Sequence, residues 1–306
     1  MKKGDQINLN RMLKKTHLIF YVVFLPCTAL FAQDLEPRRW TVIPPGVNVL
    51  SLGYGYTSGD LFLDPVLEAE DVEMSVDTLY AVYVRSFNLG NMPSRIDILI
   101  PWQNIQWEGL LRGKEASVQR KGFADPRFRL STTLFNSAQD DPASSSKTVV
   151  GAAIAVGVPL GEYYEDKLLN IGYNRFSIRP QIGVVHTDGP WSYELTGSIF
   201  FFTDNDEFYN GNTREQDPLY ALQTHLVYLF EPGLWASFGA GYGWGGLSLV
   251  NGESKDDRWG NFLTAFSIGA PLSDTQGVKF TYLYGRTQKV TGMDTGTFGL
   301  SWSIRF

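Results

Sequence analysis

Apolar and polar residues alternate one for one along most of this chain, with no stretch of sustained 3.6-residue periodicity between the alternating segments. Alternation of this kind gives a strand one greasy face and one wet face. Twelve segments carry it: 47–58, 76–87, 95–107, 123–136, 147–158, 174–187, 191–203, 218–230, 234–245, 259–271, 277–287 and 295–306. The linkers after the odd segments are mostly long and polar (59–75, 108–122, 159–173, 204–217, 246–258, with a shorter 288–294). Those after the even segments are mostly tight (88–94, 188–190, 231–233, 272–276), and 137–146 is the longest. Long linkers on one side, short ones on the other and both termini on the short side predict an all-β fold. It is a transmembrane antiparallel up-and-down β-barrel of about 12 strands, spanning 47–306.

Alternation also assigns faces. Leu50/Leu52/Tyr54/Tyr56, Ile96/Ile98/Ile100/Trp102, Tyr220/Leu222/Leu226/Tyr228/Phe230 and Leu234/Phe238/Tyr242/Trp244 form an outer wall, joined by Phe262/Phe266/Ile268 and Phe280/Tyr282/Tyr284. Aromatics gather toward strand ends, where interfacial girdles sit. The inward set holds Asp77, Arg85, Arg95, Asp97, Asp125, Arg127, Arg129, Arg175, Arg179, Glu194, His225, Lys279 and Arg305. Such a set either lines a solute path and selects what passes, or pairs internally and fills the barrel. Ser51, Gly53, Gly55 and Ser237, Gly239, Gly241, Gly243 leave space inside strands 1 and 9, which favours an open lumen. Asp125 stands two and four residues from Arg127 and Arg129, a spacing suited to cross-strand pairing. Asn170 to Arg175 descends from the third long linker. Gly172 and Asn174 there tolerate positive φ, so this segment is expected to constrict the mouth.

The ends of the chain sharpen the picture. Phe298, Leu300, Trp302, Ile304 and Phe306 alternate with small or polar residues up to the final position. This pattern resembles the closing strand of an outer-membrane barrel, where a terminal Phe is read by the barrel-assembly machinery. At the other end, Lys2, Lys3, Arg11, Lys14 and Lys15 precede an apolar run from Leu18 to Phe31 and the small residues Ala29 and Ala32. That is a secretory signal over 1–32, cleaved near Ala32, and it places the protein in the bacterial outer membrane. Residues 33–46, with Pro37, Pro44 and Pro45, then read as a short extended segment on the periplasmic side. Cys27 is the only cysteine and lies within the signal, so the mature chain has no disulfide or thiol chemistry.

Charge and composition exclude other classes. Of 26 Lys+Arg and 32 Asp+Glu, the signal takes five bases and Asp5, leaving 21 against 31. That acidic balance argues against nucleic acid as a partner. Aromatics at 14% suit the girdles of a barrel. Glu68, Glu70, Asp71, Glu73 and Asp204, Asn205, Asp206, Glu207 make the outer loops acidic without metal-loop spacing, and no metal or cofactor is expected. The mature chain retains His186 and His225, with no nucleophile elbow or serine pairing, so no catalytic residues are assigned. The expected partners are outer-membrane lipid, lipopolysaccharide, the assembly machinery and a small-molecule solute.

Several motifs resemble a known family. Pro37-Arg-Arg-Trp-Thr-Val-Ile-Pro-Pro-Gly-Val-Asn48, Leu63-Asp-Pro65, Ile100-Pro-Trp102, Gly122-Phe-Ala-Asp-Pro-Arg127, Val158-Pro-Leu-Gly-Glu-Tyr163, Asn170-Ile-Gly-Tyr-Asn-Arg-Phe176, Gly189-Pro-Trp191 and Thr203-Asp-Asn205 follow one another in order. They are similar to the outer-membrane proteins filed under the MetA (meta-cleavage) pathway of phenol degradation, labelled transporters. Leu160 and Ile43-Pro-Pro45 depart from that pattern. The resemblance implies a β-barrel and passage of small, hydrophobic or aromatic molecules. The expectation is therefore an outer-membrane channel for passive uptake. The alternative is a closed structural or adhesive barrel acting through its outer loops.

Overall fold

A computed structural model describes residues 35–63, 68–137 and 146–306. The signal segment with Cys27, and Asp64-Pro65 of the second motif, lie outside the described residues. The wall is built from β1 (Asn48–Phe62), β2 (Ala69–Leu89), β3 (Met92–Leu111), β4 (Lys114–Phe123), β5 (Arg127–Asn136), β6 (Ser146–Gly157), β7 (Ser177–Asp188) and β8 (Trp191–Phe202). After β9 (Asn205–Phe208) and β10 (Asn212–Gln216) it continues through β11 (Leu219–Glu231) and β12 (Leu234–Gly245). Following β13 (Ser248–Val250) and β14 (Glu253–Ser254) it closes with β15 (Trp259–Pro271), β16 (Gln276–Thr287) and β17 (Gly292–Arg305).

Each wall strand pairs antiparallel with its neighbours, β17 returns to β1, and β2 to β3 completes the ring. β4 and β5 share one flank of β3, above and below a break at 124–126, so thirteen segments form a twelve-stranded barrel. The fourth expected strand, 123–136, is thus only β5 plus the end of β4. The expected linker 108–122 is mostly the β3–β4 hairpin, turning at Arg112 and Gly113, both at positive φ. Most of 59–75 is likewise strand. Linkers 204–217 and 246–258 carry a separate four-stranded sheet ordered β14-β13-β10-β9.

The outer face follows the alternation. Leu52, Leu79, Ile100 and Phe123 on four adjacent strands stand about half exposed, an apolar surface suited to lipid rather than water. Aromatic contacts mark both rims. Trp191, Tyr228 and Phe230 pack edge to face at the end bearing the tight turns, with centroids 4.6 and 4.8 Å apart. Tyr220, Trp244 and Tyr242 stack at the other, at 5.7 and 6.0 Å. No helix among the described residues is long and apolar enough to cross a membrane.

Candidate functional site

The first surprise inside the barrel is the N-terminal segment. Residues 35–46 do not run along the periplasmic side as expected but fold up into the lumen. Gly46 and Val47 are tied to Ser86 at the rim bearing the tight turns. From there Trp40 reaches the wall, where its Nε1 donates to Thr196 Oγ1 at 2.8 Å. The indole lies flat over Gly151 and Gly183, and a Cβ on either glycine would collide with it. Leu35, at the inner end, packs on Leu263, Ala265 and Leu283.

Glu36 is the electrostatic centre of this plug. Its carboxylate meets Arg129 at 2.8 Å, Arg39 at 3.2 Å and Arg127 at 3.7 Å. Arg129 also pairs with Asp97 at 2.5 Å, and Arg95 reaches Asp97 at 3.4 Å and the Arg39 carbonyl at 2.7 Å. Glu194 accepts the Arg38 amide on both carboxylate oxygens, at 3.0 and 2.9 Å. The inward charges are therefore largely paired, but with residues of the plug as much as with one another. Burial alone would raise the Glu36 carboxyl. The fields of Arg129, Arg39 and Arg127 outweigh it and hold the group well below the usual glutamate range. A carboxyl depressed in the folded state stabilises above its unfolded pKa, and loses that contribution as pH falls through the folded value. The plug should accordingly stay docked from neutrality down through the ordinary glutamate range and loosen only under stronger acid. Channel conductance against pH measures this, and a rise beginning near pH 5 would contradict it.

Beside the plug, two cavities run along the wall formed by β17, β1, β2 and β16. One, about 210 Å³, is lined by Thr57, Thr281, Thr297 and Asn261 together with Leu35, Leu263, Leu283 and Met293. The other, about 290 Å³, is lined by Glu36, Asp97, Arg127, Arg129 and Ser51. Tyr80, Lys279 and Ser301 belong to both, forming a neck between them. The inward glycines contribute less free space than expected. Tyr80 lies over Gly53, His225 over Gly239 and Leu35 against Gly241, while Gly55 alone of these faces the cavity.

The third outer linker folds inward, as expected of Asn170–Arg175, through the gap between β4 and β5. Asp125 holds it there, accepting Gly161 N at 2.8 Å and Tyr173 N at 2.9 Å. Asp125 is thus a staple for the loop rather than a strand-face partner of Arg127 and Arg129. Asn174 does take positive φ, at 53°. Gly172 serves differently: a Cβ there would press on the backbone of Gly161 at 3.0 Å, so its role is close approach. Ile171 enters an apolar layer with Met74, Val76, Ile105, Trp107 and Phe200, which fills the outer part of the barrel. Arg175 and Arg179 sit behind this loop, not on the path along β17. Arg175 bonds Gln216 and stacks over Phe202 at 4.5 Å, and Arg179 stacks over Phe200 at 4.4 Å. Both line a separate cavity of about 90 Å³ shared with Asp125 and Arg127.

Asp77 does not enter the lumen. It lies on the outer face, accepting the Tyr54 hydroxyl at 2.6 Å beside Asn104. The inward residues of β2 are Met74, Val76, Thr78 and Tyr80, one step out of register with the expected set. Arg85 likewise points outward to Asn48, and Arg305 reaches the Asp274 carbonyl in the last tight turn. His225 is inward and buried, opposite Glu194, and among the described residues neither ring nitrogen has a hydrogen-bond partner. Among the described residues, no cluster of three His, Cys, Asp or Glu side chains could hold a metal. The plug residues Glu36, Arg38, Arg39 and Trp40 escaped the sequence reading, although Pro37-Arg-Arg-Trp40 stood out in it as a motif.

Residues 55–306 match the family described as "Putative MetA-pathway of phenol degradation". The chain belongs to this family. No curated protein sequence is detectably similar to it. Among solved structures, this barrel is similar to the COG4313 outer membrane channel from Pseudomonas putida F1. The two share 20% identity and a TM-score of 0.78, over 89% of this chain and 100% of that one. The transport unit of the autotransporter AIDA-I from Escherichia coli aligns at 11% identity and a TM-score of 0.52, over 91% and 94%. The chain therefore has the fold of a known outer-membrane channel.

Proposed function

We propose that this barrel is a passive channel through which small solutes cross the outer membrane. The phenol-degradation description of its family points to small hydrophobic or aromatic compounds as cargo. The observation that carries the reading is the pair of cavities joined at the Tyr80–Lys279–Ser301 neck, running past a plug that fills only part of the lumen. Arg127, Arg129 and Lys279 face Glu36 and Asp97 along the lower cavity, an excess of positive charge that favours anions. The outward row Phe298, Leu300, Trp302, Ile304 and Phe306 on β17 is the surface offered to the assembly machinery, and the acidic outer loops face lipopolysaccharide. Secretion through a signal cleaved near Ala32 completes this reading.

Planar-bilayer recording of the refolded protein in a KCl gradient tests it. Stable small steps with an anion-type reversal potential are expected. Gly53→Val should shrink those steps, because a side chain at that position drives the Tyr80 ring into the neck. A silent wild-type barrel, where a control porin conducts, would support the second reading, a closed barrel acting through its outer loops. The observations favouring that reading are the ion-paired plug and the apolar outer layer.

A further inference from the structure

We propose that the neck at Tyr80, Lys279 and Ser301 is a binding site for small amphipathic monoanions, organic carboxylates with an apolar body. The inference rests on the channel reading above and names the solute class that the residues shared by both cavities would select. The argument begins with charge. Most of the inward guanidinium groups around the plug have a carboxylate beside them: Arg129 has Asp97 and Glu36, Arg127 has Glu36, and Arg95 has Asp97. Lys279 does not. Among the described residues it makes no ion pair, although it stands half-buried on the lumen face of β16. A half-buried ammonium without a counter-charge is an anion site in waiting, since a carboxylate supplies the missing partner.

The neighbours define the head-group pocket. Lys279 is directly opposite Ser301 on β17, and the Tyr80 and Ser301 hydroxyls share a hydrogen bond. Two hydroxyls and an ammonium thus converge where one carboxylate could take several hydrogen bonds. Tyr80 is parked against the wall by Gly53, which keeps this point open.

The cavity on the outer side of the neck defines the body. Its lining is mixed: Thr57, Thr281 and Thr297 stand among Leu35, Leu263, Leu283 and Met293. At about 210 Å³ it exceeds the roughly 150 Å³ of an apolar cavity that binds benzene. A chain or ring of six carbons therefore fits above the neck with its carboxylate on Lys279. The cavity behind the infolded loop, at about 90 Å³, is too small for that body, although Arg175 and Arg179 line it. On the inner side Arg127 and Arg129 are already paired with Glu36 and Asp97, so Lys279 offers the one charge for a ligand there and the site favours a single carboxylate.

The test uses the full-length mature barrel in planar bilayers, with sodium hexanoate as probe and hexanol as its neutral counterpart. Hexanoate should interrupt the chloride current in a concentration-dependent way, and hexanol should do so far less. Lys279→Met should weaken hexanoate block by about tenfold or more, the loss expected for one charge-assisted contact, and leave hexanol unchanged. Lys279→Arg should restore block, which a merely structural role would not. Equal block in wild type and Lys279→Met overturns the proposal. If the wild-type barrel is silent, the channel reading fails but the site is still measurable by calorimetry of hexanoate with the detergent-solubilised protein. Binding lost in Lys279→Met then supports the site, and no binding by wild type overturns it.

Discussion

Deleting residues 35–45 should raise the conductance of the barrel several-fold and weaken its anion preference. Twelve strands enclose more room than the eight whose side chains alone fill a barrel, and fewer than the sixteen of an open porin. In this chain the intervening space is occupied by Leu35, Glu36, Arg39 and Trp40. Removing them joins the space around Gly151, Gly183 and Thr196 to the two cavities along β17. A milder variant, Glu36→Ala, removes the carboxylate that Arg39, Arg127 and Arg129 share. Breaking a buried pair from one side costs about 3–5 kcal/mol. Because Glu36 touches the lumen cavity, the lower end of that range applies. The plug should then undock intermittently and give flickering between small and large steps. Single-channel recording reads both variants. Conductance unchanged by the deletion would mean that the plug is not what narrows the path.

Asp125→Ala should release the infolded loop. The carboxylate takes the amides of Gly161 and Tyr173, at opposite ends of the loop, and hydrogen bonds to a charged group contribute about 1.5–3 kcal/mol each. Without them the apposed backbones of Gly161 and Gly172 lose their anchor, and Ile171 is drawn from the apolar layer. Limited proteolysis from the outer side should then cut within 159–173 at least tenfold faster, on the order expected for the loss of one such bond. The barrel itself should remain folded on heating, since β4 and β5 keep their pairing to β3. Asp125→Asn keeps an acceptor and should lie between the two. Equal protection in Asp125→Ala would show that burial of Ile171 alone holds the loop.

The wall of the barrel was legible because lipid imposes a strict rule. Each outward residue meets hydrocarbon, so Leu52, Ile100, Phe238 and Phe266 had to alternate with something else, and strand and turn could be read from that period. The rule fails where a strand leaves the bilayer. In outer β2 the polar residues Asp77, Ser75 and Glu73 point outward above the lipid, while Met74 and Val76 point in. Alternation persists there but its sign reverses, which is why Asp77 was assigned to the wrong face. The four-stranded outer sheet was missed because its strands are two to five residues long, too short for any period to register.

The lumen was legible as a list of charges and illegible as an arrangement. Asp97, Arg127, Arg129, Glu194 and Lys279 were correctly placed inside by parity alone, because a strand side chain has only two faces to choose from. Sequence by itself determined the barrel, its strand number and most of that lining. Which cation stays unpaired, which glycine holds an aromatic ring and where the path narrows were decided only by tertiary structure. The reason is that residues 35–46 and 158–176 carry no periodic signal. Their positions depend on contacts with residues that are distant in sequence: Glu36 with Arg129, Trp40 with Thr196 and Gly183, and Asp125 with Tyr173. Only closure of the barrel brings those partners together.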